Sequence, residues 1–226
     1  IAIAMRGESS LAGRMSAYSC YLDGQIDLSL RRDLDAAADF ARIAECPTPD
    51  AVLVARMVAG LRRASRSLEA TTLLRRVEKE FLKDPTFWFE LASVAAETQD
   101  MDTLAEAVAH SYQLEPTNPV YRHNHAAVMI ALGREPAETA RLTLELLNRS
   151  PESVSCQINH ALALVNHQRF TDAESLLVQI PWVGRTSAEE TQVHYTWMLI
   201  DEARQRRDSA RSHARAARES DLLPPQ

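Results

Sequence analysis

Seven histidines are the residues of this chain best suited to holding a metal ion, and their spacing argues against such a site. His123 and His125 are two residues apart, so on a helix their side chains point about 200° apart and do not share one ion. His160 and His167 fall on one helical face but are separated by two turns, which is too far for a common ion. We therefore predict no metal site, and we expect His125 and His160 to be partly buried packing residues.

The charged residues are segregated along the chain. Residues 51–83 contain eight basic and three acidic residues, whereas residues 84–119 contain seven acidic residues and neither Lys nor Arg. One interpretation is a basic patch that captures an acidic peptide. The favoured alternative is ion pairing between the two stretches, which contributes little to stability where the pairs are exposed.

Catalytic and phosphate-binding motifs are missing from the sequence. It contains no GxxxxGK[ST], no GxSxG and no HExxH. We predict that the protein is not an enzyme and binds no cofactor.

The bulk composition excludes several partner classes. A net charge of −6 argues against nucleic-acid binding, for which a basic face is expected. No apolar run approaches the roughly 20 residues that a membrane-spanning helix needs. Cys20, Cys46 and Cys156 are odd in number and form no CxxC pair, so neither a disulfide framework nor a zinc knuckle is expected. A cytoplasmic location fits these thiols best, with the periplasm as the alternative.

The elements that position these residues are indicated by regularly spaced prolines. Proline breaks a helix, and prolines recur every 30 to 36 residues at Pro49, Pro85, Pro116, Pro151 and Pro181. Between these prolines, apolar residues follow a helical period. Phe87, Trp88 and Leu91 begin one such segment, and Phe87 and Trp88 are expected in the core. Each interval predicts a pair of short amphipathic helices.

The helix pairs define a repeat of 34 residues. Small residues recur at the eighth place of the repeat, at Gly24, Ala92, Ala126 and Ala161, where they let the two helices approach closely. We predict one domain, residues 1–226, whose repeats begin near Ala17, Ala51, Pro85, Pro119, Val154 and Thr191.

The repeat resembles the tetratricopeptide repeat (TPR) family. The residues that carry the resemblance are Trp88, Leu91, Ala92, Pro116, Tyr121, Ala126, Gly133, Pro151, Ala161, Phe170 and Ala173. The resemblance implies an all-α, right-handed superhelix, or solenoid, of about six helix–turn–helix repeats. It also implies that the first helix of each repeat lines a concave groove that holds a peptide or a partner helix.

The family register assigns the candidate binding residues. By this resemblance, the second, fifth, sixth, ninth, twelfth and thirteenth residues of each repeat face the groove. The candidates are Arg56, Arg62, Arg63, Phe89, His123, Asn124 and Asn159.

Two sets of these candidates have an alternative structural role. Asn124 and Asn159 are suited to holding the backbone of an extended peptide, and hydrogen bonding to a neighbouring helix is the alternative. Arg56 and Arg63 occupy the same register places as Glu90 and Glu97 of the next repeat, which favours ion pairs between them. Arg62 has no equivalent acidic residue and is the better ligand candidate.

These observations predict a protein-interaction scaffold that binds a peptide or a partner helix in the concave groove. A regulatory repeat segment of a larger enzyme is the first alternative, because the sequence does not start with Met, and the full-length gene would decide it. Self-assembly is the second. The chain opens with Ile-Ala-Ile-Ala and closes with Leu-Leu-Pro-Pro-Gln, whereas solenoids need polar ends.

Overall fold

The computed structural model describes residues 2–43, 45–46, 51–181 and 184–221, with side chains described between residues 16 and 220 of these ranges. Within these ranges the chain forms twelve α-helices, one short 3-10 helix and no strand, which confirms the all-α prediction. Three features used in the sequence predictions, Pro49, Ile1 and residues 222–226, lie outside the described residues.

The helices follow one another as six hairpins in the described chain. They are α1 (Ala2–Ser29) with α2 (Asp33–Ile43), α3 (Ala51–Arg63) with α4 (Ser67–Val77), α5 (Pro85–Glu97) with α6 (Met101–Leu114), α7 (Pro119–Leu132) with α8 (Pro136–Arg149), α9 (Val154–Asn166) with α10 (Phe170–Gln179), and α11 (Ser187–Ala203) with α12 (Arg207–Asp221). The helices α3, α5 and α7 begin 34 residues apart, at Ala51, Pro85 and Pro119. At the two ends, α1 and α11 begin ahead of the repeat starts expected near Ala17 and Thr191.

The turn inside each hairpin has the same backbone geometry. One residue adopts a left-handed conformation, with φ between 58° and 60°, at Arg31, Ser65, Gln99, Gly133, Gln168 and Gln205. The residue that follows the left-handed one donates its N–H to the carbonyl of the residue five positions before the donor, with N···O distances of 2.8–3.1 Å. This bond satisfies a carbonyl at the end of the first helix. Five of the six left-handed residues are not glycine, although a side chain there costs about 1 kcal/mol.

The chain divides into two compact units, residues 1–121 and residues 122–226, called here the first and second units. In the first unit, Phe40, Leu74, Trp88 and Leu91 are among the largest fully buried side chains. The Trp88 indole N–H donates to the Leu82 carbonyl at 3.0 Å. As predicted, Trp88 is a core residue.

Side-chain caps determine where the helices of the third hairpin begin. The Asp84 carboxylate accepts hydrogen bonds from the backbone N–H groups of Thr86 and Phe87, and it precedes Pro85 at the first turn of α5. Asp100 accepts from the Thr103 N–H at the start of α6 in the same way. Each carboxylate satisfies an otherwise unpaired donor at a helix N-terminus.

The core of the second unit lies between α9, α10 and α11. Its buried residues include Ile158, Leu164, Leu177 and Ile200. His160 of α9 is also buried, with an exposed fraction of 8 %. A hydrogen bond of 2.9 Å joins its Nδ1 to the Thr143 hydroxyl. His160 is therefore a packing residue, as predicted.

The burial of His160 predicts how the free energy of unfolding depends on pH. Burial, assisted by the positive charge of Arg169, lowers the pKa of His160 from its ordinary value of 6.5. The unfolded state therefore takes up a proton more readily than the folded state. The free energy of unfolding should be fully retained above pH 6.5 and should fall as the pH drops from 6.5 through the folded pKa. In His160→Gln, we expect a smaller loss of stability between neutral and mildly acidic pH.

Urea unfolding at several pH values measures this loss for the wild type and the variant. His167→Gln is the matched control, because His167 is exposed and in the same unit. The prediction is wrong if the stability of His160→Gln falls with pH as steeply as that of the wild type.

Candidate partner-binding site

An open cavity of about 460 Å³ lies within the first unit, at the first helices of three successive hairpins. It is lined by Tyr21 of α1, by Arg56, Ala59, Arg62 and Arg63 of α3, and by Glu97 of α5. Arg56, Ala59 and Arg63 follow the i, i+3, i+7 spacing of one helical face. Ala59 is small, so the space between the two arginines stays open. We call this feature the arginine cavity.

Arg56 and Arg63 are exposed on the wall of the arginine cavity. Neither guanidinium forms an ion pair with a carboxylate of the described residues. Seven residues of helix place their backbones about 10 Å apart. The cavity therefore presents two separate cationic groups to a ligand.

Arg62 is held by two acidic residues, so the expectation that it lacks an acidic partner was wrong, and its role in binding stays a prediction. Its Nε lies 2.7 Å from Glu97 Oε1, and its Nη1 lies 3.4 Å from Glu90 Oε2. The Ser67 hydroxyl also donates to Glu97, at 2.6 Å. Successive residues on a helix are rotated by about 100°, so α3 directs Arg62, and not Arg56 or Arg63, at the carboxylates of α5.

The pKa values of the two carboxylates around Arg62 are shifted in opposite directions. Burial raises the pKa of Glu90 above its ordinary value, and the charge of Arg62 offsets part of this effect. Burial also acts on Glu97, but hydrogen bonds from Ser67 and Arg62 outweigh it and lower the pKa of Glu97. Both carboxylates contact Arg62 at the edge of the cavity, and the shorter of the two contacts is the one to Glu97.

Phe89 packs against another aromatic residue of the first unit. Its ring centroid lies 5.7 Å from that of Tyr121, and the two ring planes are tilted by 43°. The described residues that line the arginine cavity do not include Phe89. Its role in binding stays a prediction.

The remaining candidates lie in the second unit. His123 and Asn124 are in α7, Asn159 is in α9, and all three side chains are partly exposed. Neither asparagine side chain forms a hydrogen bond with a residue in the described part of the chain. The amide that does bond to a neighbouring helix is that of Asn166, whose Nδ2 donates to the Ile130 carbonyl at 2.8 Å.

The sequence interpretation missed two residues of the arginine cavity. Tyr21 is the fifth residue of the repeat expected from Ala17, and Ala59 is the ninth residue of the repeat expected from Ala51. Both are groove positions of the TPR register. The register itself was therefore the signal that would have found them.

No protein-family model matches this sequence, and no curated protein matches it. Solved structures do. MamA from Desulfovibrio magneticus RS-1 (residues 41 to the end) superposes with a TM-score of 0.57 at 13 % identity, over 75 % of this chain and 94 % of that one. YrrB, described as a TPR protein with an unusual peptide-binding site, gives a TM-score of 0.54 at 10 % identity, over 76 % and 86 %. The chain has the tetratricopeptide-repeat fold.

A third TPR-fold match covers more of the chain. PilF of Pseudomonas aeruginosa superposes with a TM-score of 0.52 at 13 % identity, over 89 % of this chain and 90 % of that one. The resemblance identified in the sequence is therefore confirmed at the level of the fold. In the described residues of this TPR-fold chain, no helix is both long and apolar enough to cross a membrane.

Proposed function

We propose that this chain is a protein-interaction scaffold that captures an acidic segment of a partner protein at the arginine cavity. The observation that carries the proposal is the pair of exposed guanidinium groups, Arg56 and Arg63, which have no ion-pair partner among the described residues. A guanidinium donates two parallel hydrogen bonds to a carboxylate, so each arginine suits one acidic side chain.

The spacing of the two arginines suits an extended ligand. Their backbones are about 10 Å apart along α3. In the extended polyproline II conformation a peptide rises about 3.1 Å per residue with three residues per turn, so acidic residues at i and i+3 lie on one face and span about the same distance. Tyr21 adds an aromatic wall to the cavity, and tyrosine is a frequent contributor to binding energy at interfaces. The preferred ligand is therefore an extended peptide with two acidic residues at i and i+3.

The fold supports this kind of function. In a TPR-type array, each repeat packs on its neighbours and leaves a continuous surface of first helices for a partner. YrrB, a protein of the same fold, is described as having an unusual peptide-binding site. We extend the proposal to Phe89, His123, Asn124 and Asn159 as further partner contacts.

Fluorescence anisotropy with labelled peptides tests the proposal. We expect a peptide with two Glu residues at i and i+3 to bind the wild type, and its Gln-substituted and Lys-substituted versions to bind at least tenfold more weakly. Arg56→Ala combined with Arg63→Ala should weaken binding of the acidic peptide at least tenfold. Added salt should weaken the wild-type complex, because exposed charges are screened.

The matched control is Arg76→Ala combined with Lys79→Ala. Both residues are exposed, belong to the same unit and lie outside the lining of the arginine cavity. This control removes the same charge and should change affinity less than twofold. Equal affinity of the wild type and the Arg56/Arg63 variant for the acidic peptide would overturn the site. An equal loss of affinity in both double variants would also overturn it, because the effect would then depend on net charge alone.

A gain-of-binding variant gives an independent check. Glu97→Gln removes the nearer of the two carboxylates that contact Arg62 and makes the charge of the cavity more positive by one. The acidic peptide should bind several-fold more tightly to Glu97→Gln than to the wild type.

Self-assembly is the second candidate function, and one feature of α1 favours it. Tyr18, Leu22 and Ile26 follow the i, i+4, i+8 spacing and are all exposed, so they form an apolar stripe on the helix surface. Light scattering over a concentration series tests this candidate, since a constant monomer mass would remove it.

A further inference from the structure

Two histidines face each other between the two helices of the last hairpin. His194 lies on α11 and His213 on α12, and their Nδ1 atoms are 3.1 Å apart. Both side chains are partly exposed. We propose that these two nitrogens bind one divalent transition-metal ion of the zinc class, with water completing the coordination. The proposal is independent of peptide binding at the first unit.

The distance between the two nitrogens suits a single ion. Zinc binds imidazole nitrogen at about 2.0–2.1 Å, so two nitrogens at the observed separation subtend an angle of about 100° at the metal. This angle is close to the tetrahedral value. The hydrogen bond directs the two Nδ1 atoms at each other, so each ring turns by about 40° to point at an ion that lies to one side of the line joining them.

The buried carboxylate of Asp201 lies near the proposed ligand His213, on the side of its Nε2 atom. Asp201 Oδ2 lies 3.9 Å from His213 Nε2, and Asp201 is only 2 % exposed. Asp201 is held in place by Arg206 Nε at 2.8 Å and by a hydrogen bond from the Ser209 hydroxyl. A negative charge on this side favours the proton of His213 on Nε2, which leaves Nδ1 with a free lone pair.

The tautomers of the pair follow from this placement. When His213 carries its proton on Nε2, its Nδ1 accepts the hydrogen bond and His194 Nδ1 donates it. Metal binding then requires His194 to move its proton from Nδ1 to Nε2. Both imidazoles are neutral before and after this change, so it releases no net proton.

An indole ring and a cavity lie beside the proposed ligand His213. The indole of Trp197 stacks on His213, with centroids 5.9 Å apart and planes inclined by 14°. A cavity of about 330 Å³ opens beside His213 and Trp197. Of the neighbouring charges that act on His194, Glu190 favours a bound cation and Arg185 opposes it.

The site supplies two protein ligands. No group of three or more His, Cys, Asp or Glu residues in the described ranges is arranged to hold a metal. The ion would therefore keep open positions for water, unlike a closed structural zinc site with four protein ligands. Because the two ligands come from different helices, the ion would join α11 to α12 and stabilise the last hairpin.

Isothermal titration calorimetry with zinc chloride and chelator-treated protein tests the proposal. We expect saturable binding of one ion by the wild type and at least a tenfold loss of affinity in His194→Gln and in His213→Gln. Zinc should raise the melting temperature of the wild type, and this shift should disappear in both variants. His123→Gln and His167→Gln, which replace histidines elsewhere in the chain, should bind zinc like the wild type.

A cysteine substitution separates a ligand from a merely structural histidine. In His194→Cys, a thiolate replaces the imidazole, so metal binding should persist while the original hydrogen bond is lost. Cobalt(II) should give visible absorption with the wild type, and His194→Cys should add a thiolate-to-metal charge-transfer band. The proposal is overturned if the wild type binds no more zinc than the His194→Gln/His213→Gln double variant, or if the cobalt spectrum does not respond to His194→Cys.

Discussion

Replacing Trp88 with alanine is expected to destabilise the first unit by about 3–5 kcal/mol. The indole is 1 % exposed and belongs to the buried core of this unit. It stacks on His110 with centroids 4.2 Å apart, and its N–H donates to the Leu82 carbonyl. The alanine variant loses these contacts, leaves a cavity and exposes an unpaired carbonyl, and each of these changes lowers the free energy of unfolding.

Urea unfolding followed by circular dichroism measures the effect of Trp88→Ala. Phe89→Ala is the matched control, since it shortens the adjacent aromatic residue, which is only partly buried. We expect Phe89→Ala to cost clearly less than Trp88→Ala. Equal losses in the two variants would show that burial of Trp88 is not what stabilises the unit. Trp88→Phe should recover part of the loss, because it restores most of the volume but not the N–H donor.

Gly24→Ala is expected to destabilise the first unit by about 1–3 kcal/mol, although alanine normally favours a helix interior over glycine. A Cβ atom at Gly24 would lie 2.7 Å from Phe40 Cδ1 and 2.8 Å from Phe40 Cζ, well inside van der Waals contact. The Phe40 ring is fully buried and has no room to move aside. The added methyl group therefore forces α1 and α2 apart.

Gly60→Ala is the control for this steric effect, because it makes the same substitution in another helix of the same unit. A Cβ at Gly60 would meet the flexible end of Gln25 at 3.0 Å and the Phe40 ring no closer than 3.5 Å. We expect Gly60→Ala to be neutral or slightly stabilising in the same unfolding experiment. Combining Gly24→Ala with Phe40→Leu should cost less than the sum of the two single changes. Additive costs would contradict a direct clash.

The helices were largely predictable, whereas the residues of their turns were not. Pro85 and Pro119 start helices because proline is favoured at the first helical position and its missing N–H would be unpaired there in any case. Only one of the six hairpin turns carries the expected glycine, Gly133. At Gln99 and Gln168 the left-handed conformation is imposed by packing of the two helices and by the backbone hydrogen bond that closes the turn. The glutamine side chains themselves do not indicate this left-handed conformation.

The candidate site was predictable as a face of a helix but not as a set of contacts. The register placed Arg56, Arg62 and Arg63 on the same side of α3, and all three line the arginine cavity. Which of them pairs with Glu90 and Glu97 depends on the rotation of α3 against α5, and this decided that Arg62 is the paired residue. The sequence gives no measure of that rotation.

The histidine pair of the last hairpin was not predictable at all. His194 and His213 are 19 residues apart and lie on different helices. A spacing rule within one helix therefore misses them. Their approach follows from how α11 packs on α12.

By itself, the sequence determined that this chain is a series of helical hairpins with a 34-residue period and which side of each first helix is polar or small. These properties depend on neighbours three, four or seven residues away, and a helix places such neighbours on one face whatever surrounds it. Tertiary structure alone decided that Arg62 pairs with Glu97, that Arg56 and Arg63 face an open cavity, and that His194 meets His213. Contacts between helices depend on rotations and side-chain directions, and a change of one residue in register turns a side chain by about 100°.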